Sequence, residues 1–193
     1  MWARDHLSSY YSLPWNWGRS ECVGVDPDRN WDFHWGEQDS SMDPCSDNYA
    51  GPNPFSEPET RAVSNFLEQR RGQIKVYLSL HAYSQAWLLP SSHTFASFSD
   101  DGILMEMGKL ATHALADMYG TKYQVGTAAD IRQPASGMSH DWAKARAGIK
   151  YSYHIDLRDS FGPYGFLLPG SQIVATARET WQAVRAIVDN LES

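Results

Sequence analysis

The stretch Ile74-Lys-Val-Tyr-Leu-Ser-Leu-His-Ala-Tyr-Ser-Gln85 alternates apolar and polar side chains as far as His81. A period of two predicts a β-strand over residues 74–81, with its apolar face turned toward the protein core. A histidine at the point where a buried strand passes into a loop is well placed to hold a metal ion or a substrate. His81 is therefore the best candidate metal ligand in the chain, and its partner ligands have to come from other segments.

The rest of the chain predicts strands and helices in alternation. Residues 149–157 alternate as residues 74–81 do and predict a second strand, which ends near Asp156. Helices are predicted over 57–71, 100–120, 139–148 and from 171 onward, and shorter strands over 22–25 and 122–125. The first helix follows Ser56-Glu-Pro-Glu59, which has the pattern of a capping box. This alternation predicts an α/β layer fold, in which His81 and Asp156 share one edge of the sheet if their strands run parallel.

Composition limits the class of protein. The 193 residues suit a single domain, which we expect to span residues 1–193. A net charge of −7 argues against partners that are nucleic acids or anionic membranes. No apolar run approaches the roughly 18 residues that a membrane-spanning helix needs. Cys22 and Cys45 are the only cysteines; a bridge between them indicates an oxidising compartment, although the sequence alone does not prove the bridge.

The residues alone leave two interpretations of the strand ends open. Polar groups at two strand ends, together with arginines in loops, suggest a hydrolytic pocket. In the simpler interpretation His81 is a hydrogen-bonded core histidine, and Asp156 is a structural ion-pair partner of Arg158.

Five stretches occur in one order and at fitting distances. They are Gly24-Val-Asp-Pro-Asp-Arg-Asn-Trp31, Ser56-Glu-Pro-Glu-Thr60, Leu78-Ser-Leu-His-Ala-Tyr-Ser-Gln85, Pro134-Ala-Ser-Gly137 with Asp141-Trp142, and Leu157-Arg-Asp159 with Tyr164-Gly-Phe-Leu-Leu-Pro169. Together they closely resemble the zinc metallocarboxypeptidases of the pancreatic A and B type. The resemblance runs from Trp2 to the last helix and implies a mixed, mostly parallel twisted sheet flanked by helices. It also implies a Cys22–Cys45 disulfide and a cis peptide bond between Arg158 and Asp159.

The resemblance implies a zinc ion that polarises a water molecule and the scissile carbonyl. His81 matches one of the family's three zinc ligands. The other two belong to a His-x-x-Glu motif that lies upstream in the family and does not occur in this chain. We therefore interpret Met1 as an internal position and expect the N-terminal part of the catalytic domain to be missing. This interpretation also explains why the chain does not begin with a secretion signal.

Several of the family's functional positions are altered here. Arg29 matches the arginine that clamps the C-terminal carboxylate of the substrate, but Asp28 stands where the family has asparagine. Three further departures are Gln133 at the mobile tyrosine, Asp156 at the catalytic glutamate, and Ala3 (followed by Arg4) at the oxyanion arginine. Because the framework motifs are kept, the departures indicate altered or relaxed chemistry on an intact scaffold. Asp156 keeps a carboxylate but shortens its arm, and a displacement of about 1 Å can lower a rate on the order of 10²-fold.

The resemblance also assigns a substrate pocket. Its specificity position is His140, and its other lining positions are Arg132 and His154. Three groups that can carry positive charge would suit an acidic C-terminal residue; alternatively, Arg132 and His154 point into solvent or pair elsewhere, with Asp130 available to Arg132. Tyr83 and Phe166 match residues that line the family's cleft, although Tyr83 equally suits core packing.

These observations predict a secreted, monomeric zinc metallocarboxypeptidase domain that binds peptide or protein C-termini. Full-length relatives are expected to remove one C-terminal residue, whereas this chain alone is expected to be inactive because one histidine does not hold a catalytic zinc ion. A second possibility is a non-catalytic module that still holds peptide C-termini through Arg29. A third is a remnant without function, whose exposed apolar sheet edge would favour aggregation.

Overall fold

The computed structural model describes residues 22, 24–94, 99–160 and 162–191. Its helices are α1 (Pro58–Gln69), α2 (Asp101–Tyr119), α3 (Ala128–Ile131), α4 (Ser139–Ala145) and α5 (Ile173–Asp189). Its strands are β1 (Val76–Ala82), β2 (Ala86–Leu89), β3 (Gln124–Thr127) and β4 (Tyr151–Leu157), and short 3-10 helices cover Pro27–Arg29 and Gly170–Gln172. Ala3 and Arg4 lie outside the described residues, and so does one of the four residues of the strand predicted over 22–25, in which Val25 forms an isolated β-bridge.

The four strands form one mixed sheet in the order β1-β4-β2-β3. Strand β1 is parallel to β4 and β2 is parallel to β3, whereas β2 and β4 are antiparallel. The register of β1 and β4 places His81 directly beside Asp156. The two strands run parallel, as a shared site at their ends requires, and both side chains lie at the carboxyl ends of these neighbouring strands.

Alternation along β4 separates a core face from a site face. Tyr151, Tyr153 and Ile155 join the main apolar cluster, which α2 and α5 cover with residues such as Leu104 and Ile187. Residues on opposite parity point to the other face: the Ser152 hydroxyl donates a hydrogen bond to the His140 carbonyl in α4. A second cluster around Trp31, Leu67 and Trp142 anchors α4 and α1 on this side. The sheet is therefore flanked by helices, as expected.

Strand β1 lies at the edge of the sheet rather than in its interior. Its residues are partly buried or exposed, and Leu80 is 55% exposed. The prediction of a buried strand was wrong here because alternation reports which residues share a face, not what covers that face. Strand β4, in contrast, has a neighbour on both sides, and all but its last residue are buried.

Other differences from the predicted elements have local causes. Strand β2 was not predicted because its four residues are all buried, so the alternation that signals a strand is absent. Helix α3 lies within a predicted loop and is held by a capping box between Thr127 and Asp130. The capping box predicted at Ser56 is not formed: Glu57 is the N-cap of α1, and the Ser56 hydroxyl donates to the Glu57 carboxylate. Instead, Oδ1 of the buried Asn30 accepts from the Glu57 N–H.

The predicted disulfide joins Cys22 to Cys45. It closes the segment that contains Asn30 and the 3-10 helix Pro27–Arg29. The peptide bond between Arg158 and Asp159 is cis, as the family resemblance implies, and the bond between Ala82 and Tyr83 is cis as well. Among the helices described, none is long and apolar enough to cross a membrane.

Candidate active site

A cavity of about 860 Å³ opens where β1 and β4 end. Its lining combines the 3-10 helix Pro27–Arg29, the strand ends and the segment that follows α3. The predicted site residues that line it are Asp28, Arg29, His81, Arg132, Gln133, His154, Asp156 and Phe166. Side chains from positions as far apart as 28 and 166 are thus brought to one cavity.

Two histidines and one carboxylate meet on the floor of the cavity. The rings of His81 and His154 stack with centroids 4.0 Å apart and planes 8° from parallel. Oδ2 of Asp28 lies 3.3 Å from Nδ1 of His154 and 3.8 Å from Nε2 of His81. The other carboxylate oxygen of Asp28 accepts a hydrogen bond from the first backbone N–H of α4, that of Ser139. Among the described residues, these three side chains form the one group of three or more that could hold a metal ion.

Burial and neighbouring charges act in opposite directions in this group. Burial alone would raise the pKa of Asp28, but His81 and His154 hold that pKa below its ordinary value. For His154, burial lowers the pKa, and the neighbouring carboxylates of Asp156 and Asp28 outweigh it, so the pKa is raised. Burial dominates at His81 and lowers its pKa.

Asp156 is tied to three neighbours. Its carboxylate lies 2.9 Å from Nη2 of Arg132 and 3.0 Å from Nε2 of His154, and it accepts a hydrogen bond from the Ser84 hydroxyl at 3.1 Å. Although burial would raise the pKa of Asp156, these partners lower it. The expected partners differ from those found: Arg132, not Arg158, pairs with Asp156.

The two remaining expected ion-pair partners are used elsewhere. Asp130 accepts the Thr127 hydroxyl in the capping box of α3 and is not the partner of Arg132. Arg158 donates from Nε to the fully buried Glu179 at 2.7 Å, which ties β4 to α5 behind the site. Neither of these two alternative pairings is found, because each residue has a nearer partner that only the fold brings into reach.

Arg29 is held in the cavity wall by the backbone and side chain of Asp39. Its Nε donates to the Asp39 carbonyl at 2.8 Å, its Nη2 to Oδ2 of Asp39 at 2.6 Å, and its Nη1 to the Asp28 carbonyl at 3.3 Å. Asp26 stands 4.0 Å away; burial, assisted by Asp28 and Asp39 and opposed by Arg29, raises the pKa of Asp26 to about 6. A guanidinium fixed on one edge presents its other edge in a defined direction.

Two predicted residues do not line the cavity. His140 is fully buried in α4, where its Nε2 faces the Ser92 hydroxyl at 3.0 Å. Burial lowers the pKa of His140 to about 4, so it adds no positive charge at neutral pH. Tyr83 lies beside the cavity and packs edge-on against Phe166 with centroids 4.9 Å apart.

Comparison with known proteins identifies the family. A sequence profile of the zinc carboxypeptidase family (peptidase M14) matches residues 4–183. The chain belongs to the zinc carboxypeptidase family. It is 44% identical over 181 residues to carboxypeptidase B of Astacus astacus, which covers 91% of this chain and 59% of that protein. It is 46% identical over 169 residues to a zinc carboxypeptidase of Simulium vittatum, covering 88% and 56%. The chain therefore spans a little over half the length of these two relatives.

The fold agrees with solved carboxypeptidase structures. Bovine thrombin-activatable fibrinolysis inhibitor, solved in complex with tick carboxypeptidase inhibitor, superposes with a TM-score of 0.84 at 37% identity. That match covers 91% of this chain and 61% of the other. The mixed, mostly parallel sheet flanked by helices is thus the carboxypeptidase fold, present here in part.

The described residues are chemically suited to the zinc ion that the family name implies. Two imidazoles and a carboxylate are a donor set that zinc uses in catalytic sites. Nδ1 of His154 is buried, makes no hydrogen bond and lies 3.3 Å from Oδ2 of Asp28, so its lone pair is available to a cation at this place. Zinc bound here would act as a Lewis acid toward a carbonyl or a water molecule.

Sequence reasoning missed the residues that position the predicted ones. Asp39 fixes Arg29, the Ser79 hydroxyl lies 2.6 Å from Nε2 of His81, and Ser84 contacts Asp156. Alternation places Ser79 and His81 on one face of β1, so the contact between them could have been predicted. Asp39 carried no such signal, because it lies ten positions after Arg29 in a segment without a periodic pattern.

Proposed function

We propose that the cavity binds the carboxyl-terminal end of a peptide and that the chain is the terminus-binding part of a zinc metallocarboxypeptidase. The observation that carries the proposal is the hydrogen bonding of Arg29. A guanidinium has five N–H groups. Within the described part of the chain, the bonds to Asp39 and to the Asp28 carbonyl use one N–H on each of Nε, Nη1 and Nη2.

One N–H on each terminal nitrogen of Arg29 is then left for a ligand. A carboxylate that accepts from both of these N–H groups forms a charge-assisted bidentate pair, which is both strong and directional. The Arg29 side chain is 15% exposed and lines the cavity, so a terminal carboxylate reaches it without displacing Asp39. Gln133 and Phe166 line the same cavity and would contact the residues next to the terminus.

Hydrolysis by this chain alone is expected to be weak or absent. His81 is the one position that matches a family zinc ligand, and Asp156 stands at the catalytic glutamate. General-base catalysis requires a carboxylate able to take a proton from water. The carboxylate of Asp156 is instead engaged by Arg132, His154 and Ser84, which lower its pKa and its basicity.

The engagement of Asp156 also favours the second candidate function, a non-catalytic module that binds peptide C-termini. Both candidates share the Arg29 clamp and differ in whether peptide bonds are cleaved. An intact His-x-x-Glu motif in sequence upstream of Met1 would favour the peptidase, and its replacement there would favour the binding module.

A peptide-release assay tests the proposed lack of hydrolysis. The 193-residue chain is incubated with zinc and peptides ending in Phe, Lys and Glu, with and without a chelator, and released amino acids are quantified. The expected result is no release that depends on metal. Chelator-sensitive release of the last residue would contradict it and would show a working peptidase.

The choice among peptide termini follows from charge. Arg29 and Arg132 face the cavity together with the carboxylates of Asp26, Asp28, Asp39 and Asp156. Because His140 is neutral and outside the cavity, positive charge does not predominate, and a preference for acidic termini rests on Arg132 and His154. The disulfide suits an oxidising compartment, and we place the protein outside the cell as a monomer.

A further inference from the structure

The floor of the cavity brings a buried imidazole nitrogen and a carboxylate oxygen face to face. Nε2 of His154 is 3.0 Å from Oδ1 of Asp156, so the proton of a neutral ring sits on Nε2, toward that carboxylate. The lone pair of Nδ1 then faces Oδ2 of Asp28 at 3.3 Å, and Nδ1 is buried without a hydrogen bond. Two buried acceptors that face each other are unfavourable unless a proton or a metal ion lies between them.

His81 brings a third donor to the same point. One donor atom each from Asp28, His81 and His154 lies within 4.8 Å of the other two. Zinc binds nitrogen and carboxylate oxygen at about 2.0–2.2 Å, and ligands arranged tetrahedrally around it are about 3.4 Å apart. The 3.3 Å between Asp28 and His154 meets this spacing, and the 3.8 Å between Asp28 and His81 exceeds it by little.

We propose that Asp28, His81 and His154 form a binding site for one zinc-type divalent transition-metal ion, a site made entirely within this chain. The site does not depend on the proposed peptide binding. Of its three residues, His81 alone corresponds to a ligand of the related peptidases, and Asp28 is one of the positions where this chain departs from them. Because Asp28, His81 and His154 all line the cavity, an ion held by them would be open to it.

Binding requires a small movement of His81. An imidazole nitrogen binds a metal in the plane of its ring, so the two stacked rings have to tilt away from their 8° alignment. The side chain of His81 is 30% exposed, whereas that of His154 is 4% exposed, so His81 is the residue with room to move. Its Nε2 exchanges the Ser79 hydroxyl for the metal.

Asp156 supports the site from outside. A carboxylate on the far nitrogen of a ligating histidine fixes the tautomer and makes the near nitrogen a better donor. The Asp156 carboxylate contacts Nε2 of His154 in this way. Its negative charge also reduces the repulsion between His154 and Arg132, whose Nη2 lies 3.4 Å from Nε2 of His154. The positive charge of Arg132 disfavours a cation bound nearby. Asp156 lies 2.9 Å from Arg132 and offsets that charge.

The test is metal binding rather than activity. The metal-free chain is titrated with Co²⁺, whose visible absorption reports its ligands, and Zn²⁺ binding is measured by equilibrium dialysis. We expect one ion per chain. Asp28→Asn and His81→Gln should each weaken binding by roughly 100-fold, and Asp156→Asn by about 10-fold. His113→Ala, on the exposed face of α2, is the matched control and should bind as the unaltered chain does.

The outcomes separate the site from other binding. Circular dichroism establishes that each variant is folded, and His81→Gln, which changes a half-buried side chain, keeps the test usable if Asp28→Asn does not fold. Absence of a stoichiometric ion in the unaltered chain would overturn the proposal. Binding that survives His81→Gln, or that is lost in His113→Ala, would also overturn it, because the ion would then lie elsewhere.

Discussion

Nη2 of Arg132 lies 2.9 Å from Oδ2 of Asp156, and this pair joins the segment after α3 to the end of β4. The two partners differ in exposure, since the Arg132 side chain is 38% exposed and that of Asp156 is 3% exposed. Water therefore screens the arginine and hardly reaches the carboxylate. The Asp156 carboxylate also contacts the buried His154 and the Ser84 hydroxyl, so removing it affects more groups than removing Arg132 does.

These additional contacts of Asp156 predict unequal effects of two substitutions. Asp156→Asn should lower the free energy of unfolding by about 3 kcal/mol, because it leaves His154 and Arg132 without their shared carboxylate. Arg132→Ala should lower it by about 1 kcal/mol, because Asp156 keeps His154 and Ser84. Urea unfolding measures both, with the exposed Asp117→Asn as control. Equal losses of stability in the two variants would contradict this order.

The ion pair of Arg158 and Glu179, behind the site, should contribute more to stability than an ion pair on the surface. Glu179 is fully buried and accepts Nε of Arg158 at 2.7 Å and the Thr121 hydroxyl at 2.7 Å. Glu179→Ala should destabilise the fold by about 3–5 kcal/mol, because Arg158 loses its buried partner. Thermal and urea unfolding test this, with Glu106→Gln on the exposed face of α2 as control. A loss no larger than that of the control would show that Arg158 finds another partner.

Gly137 positions Arg29 through close contact. Its φ is +69°, and a Cβ at this position would collide with the carbonyl oxygen of Arg29. Gly137→Ala should therefore shift Arg29 and weaken the binding of peptide C-termini. Gly120→Ala is the matched control, since Gly120 has φ +76° and nothing near its missing Cβ.

Both glycine variants should lose about 1 kcal/mol of stability from the left-handed backbone conformation. A weaker peptide affinity is expected in Gly137→Ala alone, measured by calorimetry. If both variants lowered the affinity equally, the contact with Arg29 would not explain the effect.

The Cys22–Cys45 disulfide closes a segment that carries both Arg29 and its partner Asp39. Replacing both cysteines by serine should lower the free energy of unfolding by about 3 kcal/mol, the loop-closure entropy for a separation of this size. The same variant should bind peptide C-termini more weakly, because the loop that orients Asp39 is less constrained. Unchanged stability in the double variant would contradict this account.

The sequence predicted those parts of the fold that repeat a simple pattern. The strands near residues 74–81 and 149–157 alternate, and the structure pairs them in parallel with His81 beside Asp156. Strand β2 was not predicted, because burial on both faces removes the alternation of apolar and polar residues. Helix α3 was not predicted either, because four residues are too few to show a helical period.

The candidate site was predictable as a set of residues but not as a set of contacts. Motif resemblance identified Arg29, His81 and Asp156, which line one cavity. Their partners, such as Asp39 for Arg29 and Arg132 for Asp156, depend on how distant loops fold back. The meeting of Asp28 with His154 likewise depends on α4, whose first N–H group positions the Asp28 carboxylate.

Recognition of a peptide's terminal carboxylate by Arg29 is tested most directly by calorimetry with matched peptides. The chain is titrated with one peptide as the free acid and as the C-terminal amide, and the titrations are repeated with Arg29→Lys. We predict that the free acid binds at least tenfold more tightly than the amide, because a charged hydrogen-bonded pair is lost on amidation. Arg29→Lys should reduce this difference, since lysine does not form the bidentate pair. Equal affinity of the unaltered chain for both peptides would contradict the claim.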